Sequence, residues 1–130
     1  MKTLVVEDDL ASRLFVQKVL SAYGEVHVAV NGHEATQAIR MSLEENSPYD
    51  LVCMDLKMPE MDGHEAIHQI KLLEREAGIP FEKEVKTIIL TAFGDIKNVT
   101  TGFSAGADAY LVKPLEKAKL LEEVKKLKLI

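Results

Sequence analysis

The chain has 130 residues, 47% hydrophobic and 28% charged, with a formal net charge of −5. That composition excludes a disordered chain, and the acidic balance argues against nucleic-acid binding as its main task, which calls for a basic footprint. No apolar run approaches the ~20 residues of a membrane helix, no signal peptide is visible, and the lone cysteine, Cys53, has no internal partner. The expectation is one domain over residues 1–130, cytoplasmic, with Cys53 a buried and inert thiol.

Short apolar runs alternate with helical patterns along the chain. Thr3-Leu4-Val5-Val6 reads as a strand and delivers Glu7-Asp8-Asp9. Ala11, Phe15, Val19 and Tyr23 fall on one helical face, and Gly24 supplies a stop. Val26 to Val30 is a second strand. Asn31 with Glu34 reads as a capping box ahead of Ala35, Ala38 and Ile39. Leu51 to Met54 is a third strand, ending at Asp55. Asp62 with Glu65 is a second capping box, ahead of Ala66, Ile67, Ile70 and Leu73. Glu74 to Lys86, with Gly78 and Pro80, reads as a helix end and an extended loop.

Thr87 to Leu90 is a fourth strand, ending at Thr91. Val99 and Phe103 suggest a short helix ended near Gly106. Ala109 to Val112 is a fifth strand, ending at Lys113. Leu120, Leu121, Val124 and Leu127 form the stripe of a last helix after Pro114. Its lysines, Lys117 to Lys128, are interrupted by Glu122 and Glu123 and read as a solvated face. The strands do not alternate with polar residues, as befits strands buried on both faces. Five strand-then-helix units call for a parallel sheet with helices on both sides, and ligands then bind beyond the carboxyl ends of the strands.

Those ends carry Glu7 and Asp8, Asp55, Thr91 and Lys113. Each residue alone would be an ordinary cap, strand end or surface charge; together they share one edge of a sheet. Carboxylates so placed repel one another, and a hard divalent cation relieves the repulsion. Oxygen ligands without His or Cys select Mg²⁺, with Mn²⁺ or Ca²⁺ as alternatives. A lysine and a hydroxyl beside them suit phosphoryl transfer, where positioning and charge neutralisation dominate. A carboxylate can be the nucleophile.

The stretches Leu4 to Asp9, Asp50 to Pro59, Met61-Asp62-Gly63, Ile89 to Ala92 and Gly106 to Pro114 resemble, in order, the receiver domain of response regulators, of the chemotaxis type, and span almost the whole chain. The resemblance implies a flavodoxin-like (βα)5 fold, a doubly wound five-stranded parallel sheet of strand order 2-1-3-4-5. It implies that Asp55 is the phosphoacceptor. Glu7, Asp8, Asp55 and the backbone carbonyl of Lys57 would hold Mg²⁺. Lys113 would bind the phosphoryl group, next to a bond to Pro114 that is often cis in this family.

Thr91 and Tyr110 would be the switch residues, acting on a surface of the fourth helix, fifth strand and fifth helix that meets a downstream protein. The donor would be a sensor histidine kinase or a histidine phosphotransfer protein, without nucleic acid and without membrane insertion. The chain would catalyse only its own phosphorylation and dephosphorylation and is otherwise no enzyme. It reads as a stand-alone response regulator. The connection over Glu74 to Lys86 looks longer than is typical, so an extra turn is expected there. Lys57 and Phe93 flank the expected path of hydrolytic water.

Two other patterns compete. His64-Glu65-Ala66-Ile67-His68 matches H-E-x-x-H, a zinc-protease signature. It lacks a third ligand at a recognisable spacing, since only His27 and His33 remain, and a capped amphipathic helix already accounts for Glu65, Ala66 and Ile67. A haloacid-dehalogenase-like phosphatase would need a second Asp two residues after the nucleophile, where this chain has Lys57.

Overall fold

In the computed structural model, which describes residues 1–92 and 106–130, five strands form one parallel sheet. They are β1 (Thr3–Val6), β2 (Val26–Ala29), β3 (Leu51–Asp55), β4 (Lys86–Thr91) and β5 (Ala109–Val112). The order across the sheet is β2-β1-β3-β4-β5, with every adjacent pair parallel. This is the flavodoxin-like order expected from the resemblance. The helices are α1 (Leu10–Leu20), α2 (Gly32–Glu44), α3 (Gly63–Glu76) and a C-terminal helix (Lys117–Lys126). The expected helix through Val99 and Phe103, and Phe93 itself, lie outside the described residues.

The absence of polar alternation in the strands is explained by two cores. Successive side chains of a strand point to opposite faces. Leu4, Val6, Val52, Met54 and Ile89 enter one core, with Ala35 and Ile39 of α2 and Ala66, Ile67 and Ile70 of α3. Val5, Leu51, Cys53, Ile88 and Leu90 enter the other, with Val16, Val19 and Leu20 of α1 and Leu120 and Val124 of the C-terminal helix. Each fully buried Val, Leu, Ile or Met among these is worth roughly 1.5–3 kcal/mol of transfer free energy. The sheet is therefore a stiff platform, and its carboxyl edge is the place where rigidity can be used.

Capping fixes where helices leave that edge. Asp9 accepts from the Ser12 N–H at 2.9 Å and opens α1. Asn31 accepts from the Glu34 N–H at 2.8 Å. The expected capping box there is shifted by one residue: the Glu34 carboxylate accepts from the N–H of Val30, at 3.0 Å. Asp62 accepts from the Glu65 N–H at 2.9 Å.

The buried face of α1 matches the expected one only in part, at Val19 and at Phe15, which packs against the core. Val16, Val19 and Leu20 face the sheet, while Ala11 and Tyr23 are exposed and Phe15 is half-buried. Helix α1 also stops at Leu20. A 3₁₀ turn, Ser21–Tyr23, follows before Gly24, whose φ of 148° and contact with the Met1 backbone admit no Cβ.

The long connection after α3 contains the extra turn expected, a 3₁₀ turn at Phe81–Lys83. Its return to the sheet is fixed by Glu74, 3% exposed, which accepts from the Val85 N–H at 2.7 Å. Lys71 lies 3.9 Å from the carboxylate of Glu74 and 3.7 Å from that of Glu84.

Candidate functional site

At the carboxyl edge Glu7 follows β1 directly and Asp55 ends β3. Register sets their heights, since Val6 pairs with Met54, one residue before each of these acids. Glu7 is fully buried, Asp55 is 7% exposed and Asp8 is exposed. The three offer carboxylate oxygens that all lie within 4.8 Å of one another. Among the described residues this is the only group of three or more His, Cys, Asp or Glu side chains so arranged. Among the described residues the H-E-x-x-H pattern is not part of any such cluster.

Lys113 comes to this site from the end of β5. Its N–H donates to the Thr91 carbonyl at 2.8 Å, tying the ends of β4 and β5 together. The Lys113-Pro114 bond is cis, as the resemblance implied. From there Nζ donates to Glu7 Oε1 at 2.5 Å and to Asp55 Oδ1 at 3.3 Å. Glu7 is the nearer partner, a detail that spacing along the sequence does not reveal.

The electrostatics follow from burial. Loss of hydration pushes the Asp55 carboxyl up, aided by a hydrogen bond and charge repulsion from Glu7, and Lys113 opposes this; the result is about 7. Burial works against the charge of Lys113, but its hydrogen bond to Glu7 and its attraction to Asp55 and Glu7 outweigh it and hold the ammonium above its usual range. Asp9, at the rim, is lowered by its hydrogen bonds with Ser12.

The donor set fits a hard divalent cation. All three side chains are carboxylates, and Glu7 Oε2 is a buried oxygen without a hydrogen-bond partner. A buried anionic oxygen left unpaired is costly, and a cation between Glu7, Asp8 and Asp55 would satisfy it. Lys57 lies on the loop two residues beyond Asp55, its side chain exposed.

Thr91 ends β4 and is 1% exposed, with its hydroxyl donating to the Ala92 carbonyl at 3.3 Å. Tyr110 stands on β5 opposite Ile89. It is half-buried against the core beneath α2 and α3, and burial raises its phenol. The sequence-predicted acids and Lys113 thus form one contact cluster, and Thr91 and Tyr110 stand on the two strands beside it.

Two supporting residues escaped sequence reasoning. Arg13, on the first turn and a half of α1, donates to the Glu7 carbonyl at 2.9 Å. His64 Nε2 lies 3.0 Å from the Tyr110 hydroxyl. Nothing in local spacing signals either contact, because Arg13 resembles any helix-surface arginine and His64 meets a residue 46 positions away.

Comparison with known proteins agrees with this geometry. The family model described as response regulator receiver domain matches residues 3–125. The chain belongs to that family. It is 35% identical over 124 residues to the transcriptional regulatory protein ZraR of Salmonella typhimurium, a match covering 95% of this chain and 25% of that protein. The chain thus spans about a quarter of that relative's length.

Among solved structures, a putative response regulator from Chloroflexus aurantiacus is 35% identical with a TM-score of 0.76, covering 97% of this chain and 95% of that one. The receiver domain of the sensor histidine kinase PA1611 from Pseudomonas aeruginosa is 25% identical with a TM-score of 0.78, covering 96% and 94%. That structure has a magnesium ion coordinated in its active-site cleft. Among the described residues no helix of this receiver domain is long and apolar enough to cross a membrane.

Proposed function

We propose that this receiver domain is a phosphoacceptor switch, taking a phosphoryl group from a phosphohistidine of a sensor kinase or phosphotransfer protein onto Asp55. The observation that carries the reading is the convergence of Glu7, Asp8, Asp55 and Lys113 at one edge of the sheet. In the transfer an Asp55 oxygen forms a bond to phosphorus as the donor's N–P bond breaks. The electron pair stays with the donor imidazole, which takes up a proton.

Lys113 Nζ, already 3.3 Å from Asp55 Oδ1, is placed to neutralise charge on the incoming phosphoryl oxygens. Glu7, Asp8, Asp55 and the Lys57 backbone carbonyl would hold Mg²⁺, with Mn²⁺ able to use the same oxygens. The ion supplies charge neutralisation and alignment of the phosphoryl group. Thr91 is the hydroxyl available to the phosphoryl oxygens, and Tyr110 is the neighbouring aromatic that responds.

The readout is a change in affinity for a downstream protein, reached through β5 and the helices beside it. The chain acts on no other substrate, works in the cytoplasm and touches neither nucleic acid nor membrane; its net charge of −5 supports the absence of nucleic acid.

The test is intact mass after incubation with acetyl phosphate, with and without Mg²⁺, beside Asp55→Ala. A Mg²⁺-dependent gain of one phosphoryl group, absent in the variant, is expected. The same gain in Asp55→Ala would overturn the assignment.

A further inference from the structure

We propose that His64 is a positioning residue for the Asp55 site, acting through its hydrogen bond to Tyr110 as a strut between the start of α3 and β5. The inference rests on the reading of Asp55 as phosphoacceptor. His64 Nε2 and the Tyr110 hydroxyl are 3.0 Å apart, and the two rings meet edge-on, with centroids 6.3 Å apart and planes at 67°. Both side chains are half-buried.

At one end the strut is seated on the acceptor's own backbone. His64 follows Gly63, whose N–H donates to the Leu56 carbonyl at 2.8 Å. A Cβ at Gly63 would stand 2.7 Å from the Asp55 carbonyl oxygen, so the first turn of α3 is pressed against that residue. At the other end Tyr110 lies three residues before Lys113, whose Nζ reaches back to Glu7 and Asp55.

The contacts close a circuit: Asp55, Leu56, Gly63, His64, Tyr110, the end of β5, Lys113, and Asp55 again. A new charge on Asp55 pulls on Lys113 and on the loop after β3, and both movements meet at the His64–Tyr110 bond.

Secondary structure does not need this bond. Helix α3 is already capped by Asp62, and β5 is already paired with β4 along its whole length. A bond redundant for the elements it joins, yet closing a loop through the acceptor, serves geometry. It holds Lys113 at its working distance and records the state of Asp55 in the position of the Tyr110 phenol. The H-E-x-x-H resemblance leaves His64 without a role; this contact supplies one that involves no zinc.

The full chain, labelled with 3-fluorotyrosine, has three resonances from Tyr23, Tyr49 and Tyr110, and Tyr110→Phe assigns the third. His64→Leu is expected to move the Tyr110 resonance in the unphosphorylated protein. It should also slow acetyl phosphate labelling of Asp55 by roughly two- to tenfold, the span that one hydrogen bond supports. His64→Gln, which keeps a hydrogen-bonding side chain, should recover part of both.

An unmoved Tyr110 resonance in His64→Leu, or Leu and Gln variants slowed alike, would overturn the strut. Failure of the wild-type chain to gain a phosphoryl group would instead overturn the acceptor reading, and the resting fluorine spectra would still judge the strut.

Discussion

Replacing Asp55 by Asn should stabilise the cation-free protein. Asp55 and Glu7 share a buried edge with Lys113 between them, and the Asp55 carboxyl sits near 7 instead of 3.8. The folded state therefore holds the Asp55 proton more tightly than the unfolded chain does. For a raised carboxyl the stabilising contribution is complete below the unfolded value near 3.8 and is lost as pH rises through about 7.

A displacement of roughly three units corresponds to at most ~4 kcal/mol. Asp55 has access to water on one side, and Lys113 would still pair with Glu7 in the variant. The net gain expected at pH 8 is therefore roughly 1–3 kcal/mol, in line with the removal of a poorly compensated buried charge. The assay is urea denaturation in EDTA between pH 4 and 8.5. The Asn variant should exceed wild type by a margin that is small near pH 4, grows toward pH 7 and then levels. A margin independent of pH, or a less stable variant at pH 8, would refute the reasoning. Saturating Mg²⁺ should shrink the gap, because wild type gains binding energy that the variant has weakened.

Three further outcomes are expected. With Mg²⁺ at about ten times its dissociation constant, the wild-type protein should gain about 1.4 kcal/mol and melt several degrees higher, whereas Asp8→Ala should lose most of that gain; a wild-type melting curve insensitive to Mg²⁺ would count against the cation site. Gly63→Ala places a Cβ 2.7 Å from the Asp55 carbonyl oxygen and 3.1 Å from Leu56 Cα; since the wall is backbone, roughly 1–3 kcal/mol of stability should be lost, and an unchanged thermal midpoint would show that this approach is not tight. Burial pushes the Cys53 thiol up to about 12, so stability present below the unfolded value near 9 should fall by about 1.4 kcal/mol per unit as pH rises above it; Cys53→Ala should lack that slope in paired denaturant titrations, and a thiol reagent should label Cys53 only when the protein opens.

The sequence already showed why the central strands are buried on both faces, although the edge strands β2 and β5 leave Val28 45% and Val112 37% exposed: Leu51, Val52, Cys53 and Met54 offer no polar side. The structure divides them between two cores by simple alternation. The face of α1 was harder to read. Leu10, Leu14, Phe15, Val16, Val19 and Leu20 make an apolar surface wider than the sheet covers, and spacing cannot say which part meets it. Burial selects Val16, Val19 and Leu20 and leaves Leu10 and Leu14 more than half exposed.

The acids of the site were legible because each stands at the end of an apolar run, and strand ends in a parallel sheet share an edge. The partner choices within the site were not. Lys113 prefers Glu7 to Asp55 by 0.8 Å, the difference between 3.3 and 2.5 Å. That preference depends on how β5 leaves the sheet, which only three-dimensional packing determines.

The same two cores explain how the fold tolerates so unfavourable a site. Val5 and Val6 precede Glu7, Cys53 and Met54 precede Asp55, and Ile89 and Leu90 precede Thr91; all six are fully buried. Each charged or polar strand end is thus the continuation of a segment that cannot shift without exposing apolar surface on both faces. Relaxation of Glu7 and Asp55 away from each other would require moving β1 against β3, which their continuous pairing resists. The remaining ways to relieve the repulsion are a proton, the Lys113 ammonium, a divalent cation, or a covalent bond on Asp55 that changes its charge and shape. A site held this way responds to those agents by redistributing side chains at its edge, while the sheet beneath stays in register.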